Sequence, residues 1–273
     1  MSDLEVLTTG IAFGESPRWG RDGRLWFADW AAQEVLAVDL AGNSERIVRV
    51  DFFAFPMCID WLPDGRLLIV APRDGHVLRR EPDGSLVTHA DIRGLAGEGH
   101  QWNEIVVDGR GNAYINNQGF EFPGGEFSPG TVAMLTPDGA ARLVADGIAF
   151  PNGMAVTPDN STLIVAESYA KKLTAFDIAA DGSLSEGRLW RTSATVPRTG
   201  FASMPRARCG MRTCQTSAAC GFVKEARSSS GSTTIAAASH ALSEDRTGRR
   251  CSSSPRSGGG PSTWLTEGAR AKC

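Results

Sequence analysis

The chain has 273 residues, enough to bury a core in one large domain or two small ones, and its net charge is −3. No run approaches the roughly 18 apolar residues of a membrane span, and Met1-Ser2-Asp3-Leu4-Glu5 lacks the features of a secretory signal. Cys58 is the only cysteine in residues 1–190, which is typical of a reducing compartment. The sequence therefore predicts a cytoplasmic protein without membrane attachment.

The overall charge hides a division near residue 190. Residues 1–190 hold 15 Lys and Arg against 27 Asp and Glu, whereas residues 191–273 hold 13 against 4. Residues 1–190 also contain 18 of the 21 aromatic residues. The first part is predicted to be an acidic globular domain. The second is rich in Arg, Ser, Ala and Gly, lacks alternating apolar strands, and is predicted to be a disordered, basic, low-complexity tail.

Four repeats run in order through residues 1–190, each with a tight turn followed by an apolar stretch. The turns are Asp22-Gly23, Asp64-Gly65, Arg110-Gly111 and Asp159-Asn160, spaced 42, 46 and 49 residues apart. In each repeat a strand is predicted directly after the turn, at 25–28, 67–70, 113–116 and 163–166. A further strand follows it at 34–39, 76–81, 131–136 and 172–177. Such periods, without helical periodicity, predict an all-β propeller of four-stranded blades.

One position recurs seven residues before each turn, and it holds Glu15, Met57, Asn103 and Asn152. In a ring of blades these side chains converge, and three of the four carry oxygen. Carboxylate and amide oxygens favour Ca²⁺, Mg²⁺ or Mn²⁺, with Zn²⁺ left open. A single motif of this kind is usually a turn, but the shared phase favours a metal site. Met57 is predicted to line the channel or to pack between blades, and Cys58 to be a small buried hydrophobe.

Three motifs resemble the SMP-30/gluconolactonase family of regucalcin-like proteins: Gly14-Glu15-Ser16-Pro17-Arg18-Trp19, Trp102-Asn103-Glu104 and Phe150-Pro151-Asn152-Gly153-Met154-Ala155-Val156. The resemblance covers roughly residues 5–190. It implies a six-bladed β-propeller in the parent fold, of which about four blades are recognisable here. It also implies a hydrolase that opens a sugar lactone or related ester with water activated by one divalent cation, calcium first. The implied partner is a small-molecule lactone or ester, with no nucleic acid and no membrane.

The resemblance also implies roles for single residues. Glu15 and Asn152 match metal ligands of the family. Asn103 matches the asparagine that contacts substrate, and it is the catalytic candidate that would orient the substrate carbonyl. Further predicted substrate contacts are Glu121, Gln101 and Trp102, and His100 is a candidate pocket residue.

Two departures from the family bear on sugar specificity and leave the metal positions unchanged. Gln101 stands where members that act on aldonolactones often have Arg. The family's Asn-Asp-Gly is replaced by Asn103-Glu104-Ile105.

The third metal ligand of the family is an Asp in a Pro-Asp-Gly segment of the fifth blade, and this sequence lacks it. Codons for residues 198–204 can be chosen so that reading from one nucleotide earlier yields Pro-Asp-Gly-Ile-Cys-Ile-Asp. That frame places the Asp, the natural general base, across Arg198 and Thr199. The hypothesis is that a one-nucleotide loss near Trp190 put the tail out of frame, which predicts a weak or inactive chain.

Two alternatives remain open at the level of sequence. The propeller could be non-catalytic and use its channel to bind calcium or a regulatory ligand. The basic tail could be genuine and bind nucleic acid, which predicts salt-sensitive binding that is lost on truncation at Trp190.

Overall fold

The computed structural model describes residues 4–51, 56–71, 75–97, 100–122, 124–192, 220–226 and 233–238. All of them belong to one compact unit, residues 1–241. The described residues form strands and turns without a helix, so no helix among them could cross a membrane. The all-β prediction is therefore confirmed.

Sixteen strands form four antiparallel sheets, each built from four strands that are consecutive in the chain. We call these sheets blades 1 to 4. Blade 1 contains β2 (Gly14–Trp19), β3 (Leu25–Asp29), β4 (Glu34–Val38) and β5 (Ser44–Arg49). Blade 2 contains β6 (Cys58–Trp61), β7 (Leu67–Ala71), β8 (His76–Arg80) and β9 (Leu86–Asp91). Blade 3 contains β10 (Trp102–Val107), β11 (Ala113–Asn117), β12 (Gly130–Leu135) and β13 (Ala141–Ile148). Blade 4 contains β14 (Pro151–Val156), β15 (Thr162–Glu167), β16 (Lys172–Asp177) and β17 (Arg188–Thr192).

The turn between the first two strands of each blade explains why the repeats are visible in the sequence. Its left-handed position holds Gly23 at φ 76°, Gly65 at 90°, Gly111 at 90° and Asn160 at 58°. Glycine and asparagine are the residues that adopt this conformation at low cost. The eight predicted strands, four directly after these turns and four that follow them, begin and end within one residue of the observed strands.

Neighbouring blades are joined by buried side chains. Trp26 of blade 1 meets Trp61 of blade 2 edge to face, with ring centroids 5.3 Å apart. Met57 is fully buried in the cluster between these two blades, which confirms the packing role predicted for it. Cys58 is buried in the cluster that joins blades 2 and 3, as predicted.

Tyr114 ties blade 3 to blade 4. Its ring is fully buried, and its hydroxyl donates to the Gly182 carbonyl oxygen at 3.1 Å. Burial raises the pKa of Tyr114, so the hydroxyl stays protonated and remains a donor.

Tyr114→Phe is expected to lower the free energy of unfolding by about 1–2 kcal/mol, because it leaves the Gly182 carbonyl without this donor. Urea denaturation would measure the loss. Tyr169→Phe is the matched control, since the Tyr169 side chain is half exposed, and it should change stability by less than about 0.5 kcal/mol. Equal effects of the two substitutions would contradict the assignment.

The remaining strands form a separate sheet that the sequence does not predict. Strand β1 (Leu4–Ile11) pairs with β18 (Cys220–Ala226), which pairs with β19 (Thr233–Ala238). The tail was predicted to lack strands, and the structure differs by placing two there. Both segments contain β-branched or aromatic residues, and β1 offers β18 an edge for pairing. Arg198 and Thr199 lie outside the described residues.

Candidate metal and substrate site

Glu15, Asn103 and Asn152 occupy equivalent places in the fold. Each is the second residue of the first strand of its blade, β2, β10 or β14. These strands begin beside the ends of β3, β11 and β15, as the pairs Gly14↔Asp29, Trp102↔Asn117 and Pro151↔Glu167 show. The three side chains therefore start from the same end of their blades. We call this end of the blades the site end.

Direct contacts place the first strands of the four blades next to one another. The Ile59 amide donates to Ser16 Oγ at 3.0 Å, which joins β2 to β6. The Cys58 thiol donates to the Asn103 carbonyl oxygen, which joins β6 to β10. Asn103 Nδ2 donates to the Pro151 carbonyl oxygen at 3.4 Å, which joins β10 to β14. The first strands of the blades therefore follow one another in the order β2, β6, β10 and β14, and β6 lies between the strands of Glu15 and Asn103.

A one-residue bulge accompanies every oxygen-bearing position. The pairing of β2, β10 and β14 with the next strand skips one residue between Glu15 and Arg18, Trp102 and Ile105, and Pro151 and Met154. In blade 2, where Met57 takes the position, the pairing of β6 with β7 runs unbroken from Cys58 to Trp61. A bulge turns a side chain away from the regular alternation. Its association with the three ligand candidates supports a shared function for them.

Asn116 is a site residue that the sequence does not reveal. It is fully buried on β11, its Nδ2 donates to the Asn152 carbonyl oxygen at 2.6 Å, and its Oδ1 accepts from the Glu104 amide at 3.3 Å. One side chain thereby ties the bulge of β10 to that of β14. The sequence signal was weak, because Asn116 lies inside a predicted strand that is otherwise apolar.

The amide nitrogens of the two ligand candidates already have partners. Asn103 Nδ2 donates to Pro151, and Asn152 Nδ2 donates to Ser168 Oγ at 3.4 Å. In each side chain this arrangement leaves the carbonyl oxygen Oδ1 as the atom for a cation or a substrate.

A buried ion pair holds the bulges of β2 and β10 together. Arg18 Nη2 donates to Glu104 Oε1 at 3.0 Å and to the Ile105 carbonyl oxygen at 2.5 Å. Ser16 Oγ donates to the same Glu104 oxygen at 3.1 Å. Burial opposes the charge of Arg18, but the carboxylates of Glu104 and Asp60 outweigh it and raise the Arg18 pKa. The guanidinium therefore remains charged in the interior.

Cys58 lies between these groups as a neutral thiol. Burial raises its pKa well above the ordinary value, and the negative charges of Glu104 and Glu15 raise it further. The thiol consequently acts as a donor to Asn103 and not as a nucleophile.

The oxygen atoms that these side chains offer are of the chemical types that a hard cation binds. Glu15 supplies a carboxylate, and Asn103 and Asn152 supply amide oxygens, which are ligands that Ca²⁺ accepts. Glu15 and Asn152 are partly exposed, so both can be reached from solvent. Among the described residues, no three His, Cys, Asp or Glu side chains lie close enough to hold one metal ion. The third ligand predicted at Arg198 and Thr199 lies outside the part of the chain that is described.

The predicted substrate-contact residues differ in exposure. Gln101 and His100 are partly exposed at the site end of β10, and Glu121 is exposed in the loop after β11. Trp102 is 3% exposed and packs in the cluster between blades 2 and 3, which favours a packing role for it over a pocket wall.

Comparison with known proteins places the chain among propellers. Residues 13–199 match the family model described as SMP-30/Gluconolactonase/LRE-like region. Diisopropyl-fluorophosphatase of Loligo vulgaris is 27% identical in an alignment 212 residues long, and the match covers 67% of this chain and 65% of the relative. The chain thus spans about two thirds of the length of that protein.

Two solved structures show the same fold. A gluconolactonase from Xanthomonas campestris superposes with a TM-score of 0.62 and 22% identity, over 81% of this chain and 76% of that protein. Regucalcin from Agrobacterium tumefaciens, described as a calcium-binding protein, superposes with a TM-score of 0.60 and 18% identity, over 92% and 77% respectively. The identities are low, so these likenesses concern the fold.

Proposed function

The chain belongs to the SMP-30/gluconolactonase/LRE-like family, and from this premise we propose a divalent-metal-dependent hydrolase that opens lactones or related esters. The names of two relatives, a gluconolactonase and a diisopropyl-fluorophosphatase, support the class of hydrolase. The substrate in this proposal is a small molecule, and the compartment is the cytoplasm.

The observation that carries the proposal is the bulge beside each oxygen-bearing position: Asn103 and Asn152 lie within it, and Glu15 is the last paired residue before it. Glu15 and the Oδ1 atom of Asn152 would hold the cation, with Ca²⁺ as the first choice. When bound, the cation supplies Lewis acidity for the carbonyl and for water. Asn103, whose backbone is held by Cys58 and whose Nδ2 is held by Pro151, would orient the substrate through its amide oxygen.

Glu15→Gln is expected to weaken calcium binding by at least tenfold, because it replaces the carboxylate by a neutral amide of equal size. Loss of a group that merely supports a ligand already costs about 10–100-fold in metal affinity. Calorimetric titration of the full chain with CaCl₂ would measure the change.

Glu126→Gln is the matched control, since Glu126 is an exposed carboxylate in the loop between β11 and β12. It should leave calcium affinity unchanged. If both substitutions alter the affinity equally, Glu15 is not a ligand and the binding reflects the general negative charge of the domain.

A second candidate function is a non-catalytic propeller that binds calcium or a regulatory ligand. The chemistry of the three site residues favours this second function. Glu15 is the only carboxylate among them, and neither Asn103 nor Asn152 can act as a base. Hydrolysis of gluconolactone or γ-butyrolactone that needs calcium and is lost in Glu15→Gln supports the enzyme. Calcium binding without turnover of either lactone supports the second candidate.

A further inference from the structure

Five aromatic rings form one contiguous group, which we call the aromatic cluster: Phe120, Phe122, Phe127, Phe150 and Tyr169. Phe150 and Tyr169 are stacked, with centroids 4.6 Å apart and planes at 12°. Phe120 contacts the other four rings at centroid distances of 5.8 to 6.2 Å. The rings differ in solvent exposure: Phe120 and Phe150 are buried, whereas Phe127 and Tyr169 are each 49% exposed. It therefore has an apolar floor and an open rim.

The cluster lies at the site end of blades 3 and 4. Phe120, Phe122 and Phe127 are in the loop after β11, and Tyr169 is in the turn after β15. Strands β11 and β15 end beside the strand starts that carry Asn103 and Asn152. The two ends of this loop approach each other closely. A Cβ added at Gly119 would lie only 2.2 Å from the Pro129 carbonyl oxygen, so the close approach requires glycine there.

A short chain of hydrogen bonds connects the cluster to the candidate metal ligand Asn152. Asn152 Nδ2 donates to Ser168 Oγ at 3.4 Å, and the Ser168 amide donates to the Phe150 carbonyl oxygen at 3.0 Å. Phe150 and Tyr169 are the chain neighbours of Pro151 and Ser168. Phe150 also has a φ of 58°, a strained value for a bulky residue.

The rings of the aromatic cluster suit an apolar ligand group better than a polyhydroxylated one. Recognition of several hydroxyl groups calls for converging polar side chains, whereas an apolar group gains by leaving water for a surface of aromatic rings. Half-exposed aromatic rings grouped beside a polar site are typical of a surface that binds an apolar ligand group.

We propose that the aromatic cluster is a specificity subsite that binds an alkyl or aryl substituent on the ring of a lactone substrate. This inference rests on the proposed lactonase function, because that function places the lactone group at Asn103 and Asn152. The preferred substrates are then lactones with an apolar side chain, and sugar lactones are poor ligands.

The test measures binding and needs no turnover. The full chain, with calcium present, is titrated with the lactams 2-pyrrolidinone, 5-butyl-2-pyrrolidinone and 5-hexyl-2-pyrrolidinone, and with gluconolactam. Affinity should rise about two- to fourfold for each methylene group added, since a buried methylene contributes about a fourfold gain. Gluconolactam should bind no more tightly than 2-pyrrolidinone. Affinity that is independent of chain length would overturn the proposal.

Substitutions in the aromatic cluster test whether the affinity gain per methylene arises there. Phe127→Ser with Tyr169→Ser should reduce the gain per methylene to less than 1.5-fold, because both exposed rings of the rim are removed. Leu143→Ser is the matched control, since Leu143 is an exposed apolar residue on the outer strand β13 at 47% exposure, and it should retain the full gain. A gain that persists in the double variant would overturn the proposal.

The experiment separates this inference from the proposed function. A chain-length gain without lactone turnover would support the subsite and count against the hydrolase. Turnover of γ-butyrolactone without a chain-length gain would support the hydrolase and overturn the subsite.

Discussion

Arg18→Ala is expected to lower the free energy of unfolding by about 3–5 kcal/mol, because it leaves a buried carboxylate without its partner. Arg18 and Glu104 are 7% and 4% exposed, and Asp60 lies 3.9 Å from Arg18 Nε. Removal of the guanidinium also removes the donor to the Ile105 carbonyl oxygen. Urea denaturation followed by tryptophan fluorescence would measure the loss.

Arg24→Ala is the matched control for this prediction. Arg24 pairs with Asp22 and Glu45 near the surface of blade 1, and exposed ion pairs contribute about 0–1 kcal/mol. A loss of similar size in both variants would show that Arg18 contributes no more than a surface ion pair does.

Comparing Arg18→Met alone with the double variant Arg18→Met and Glu104→Gln separates the unpaired charge from the lost packing, because both keep the same residue at position 18. If the unpaired carboxylate causes most of the loss, the double variant should be more stable than Arg18→Met by about 1–3 kcal/mol. A double variant that is as unstable as Arg18→Met would assign the loss to packing instead.

Restoring the alternative reading frame is expected to raise calcium affinity by at least about 100-fold, since it adds a second carboxylate to the proposed metal ligands Glu15 and Asn152. The coding DNA across codons 185–205 is sequenced first, because it decides directly which frame is natural.

Calcium titration of the two forms of the chain would measure this effect, and hydrolysis of gluconolactone and γ-butyrolactone by each form would accompany it. The restored chain with its new Asp changed to Asn is the matched control, and it should lose most of the gain. The frame hypothesis fails if the restored chain binds calcium no more tightly than the present one.

The blades and their order follow from local sequence. Each repeat combines a turn that needs a left-handed residue, such as Gly65, with apolar strands such as β7 and β15 beside it. Both signals act over a few residues, so neither depends on the rest of the fold. The common phase of Glu15, Asn103 and Asn152 was visible for the same reason.

The interior of the site was decided by tertiary structure. Arg18 and Glu104 are 86 residues apart in the chain, and their ion pair exists because blade stacking places β2 near β10. Asn116 and the aromatic cluster likewise join residues of blades 3 and 4 that carry no shared local signal.

The sequence by itself determined the all-β fold, the four blades and the three residues proposed to meet a cation or substrate, because turn chemistry and strand periodicity are local. Only the tertiary structure decided the bulges that accompany those residues, the buried charges that support them and the aromatic cluster beside Asn152. The physical reason is that each of these depends on how strands distant in sequence pack and which groups they bury together.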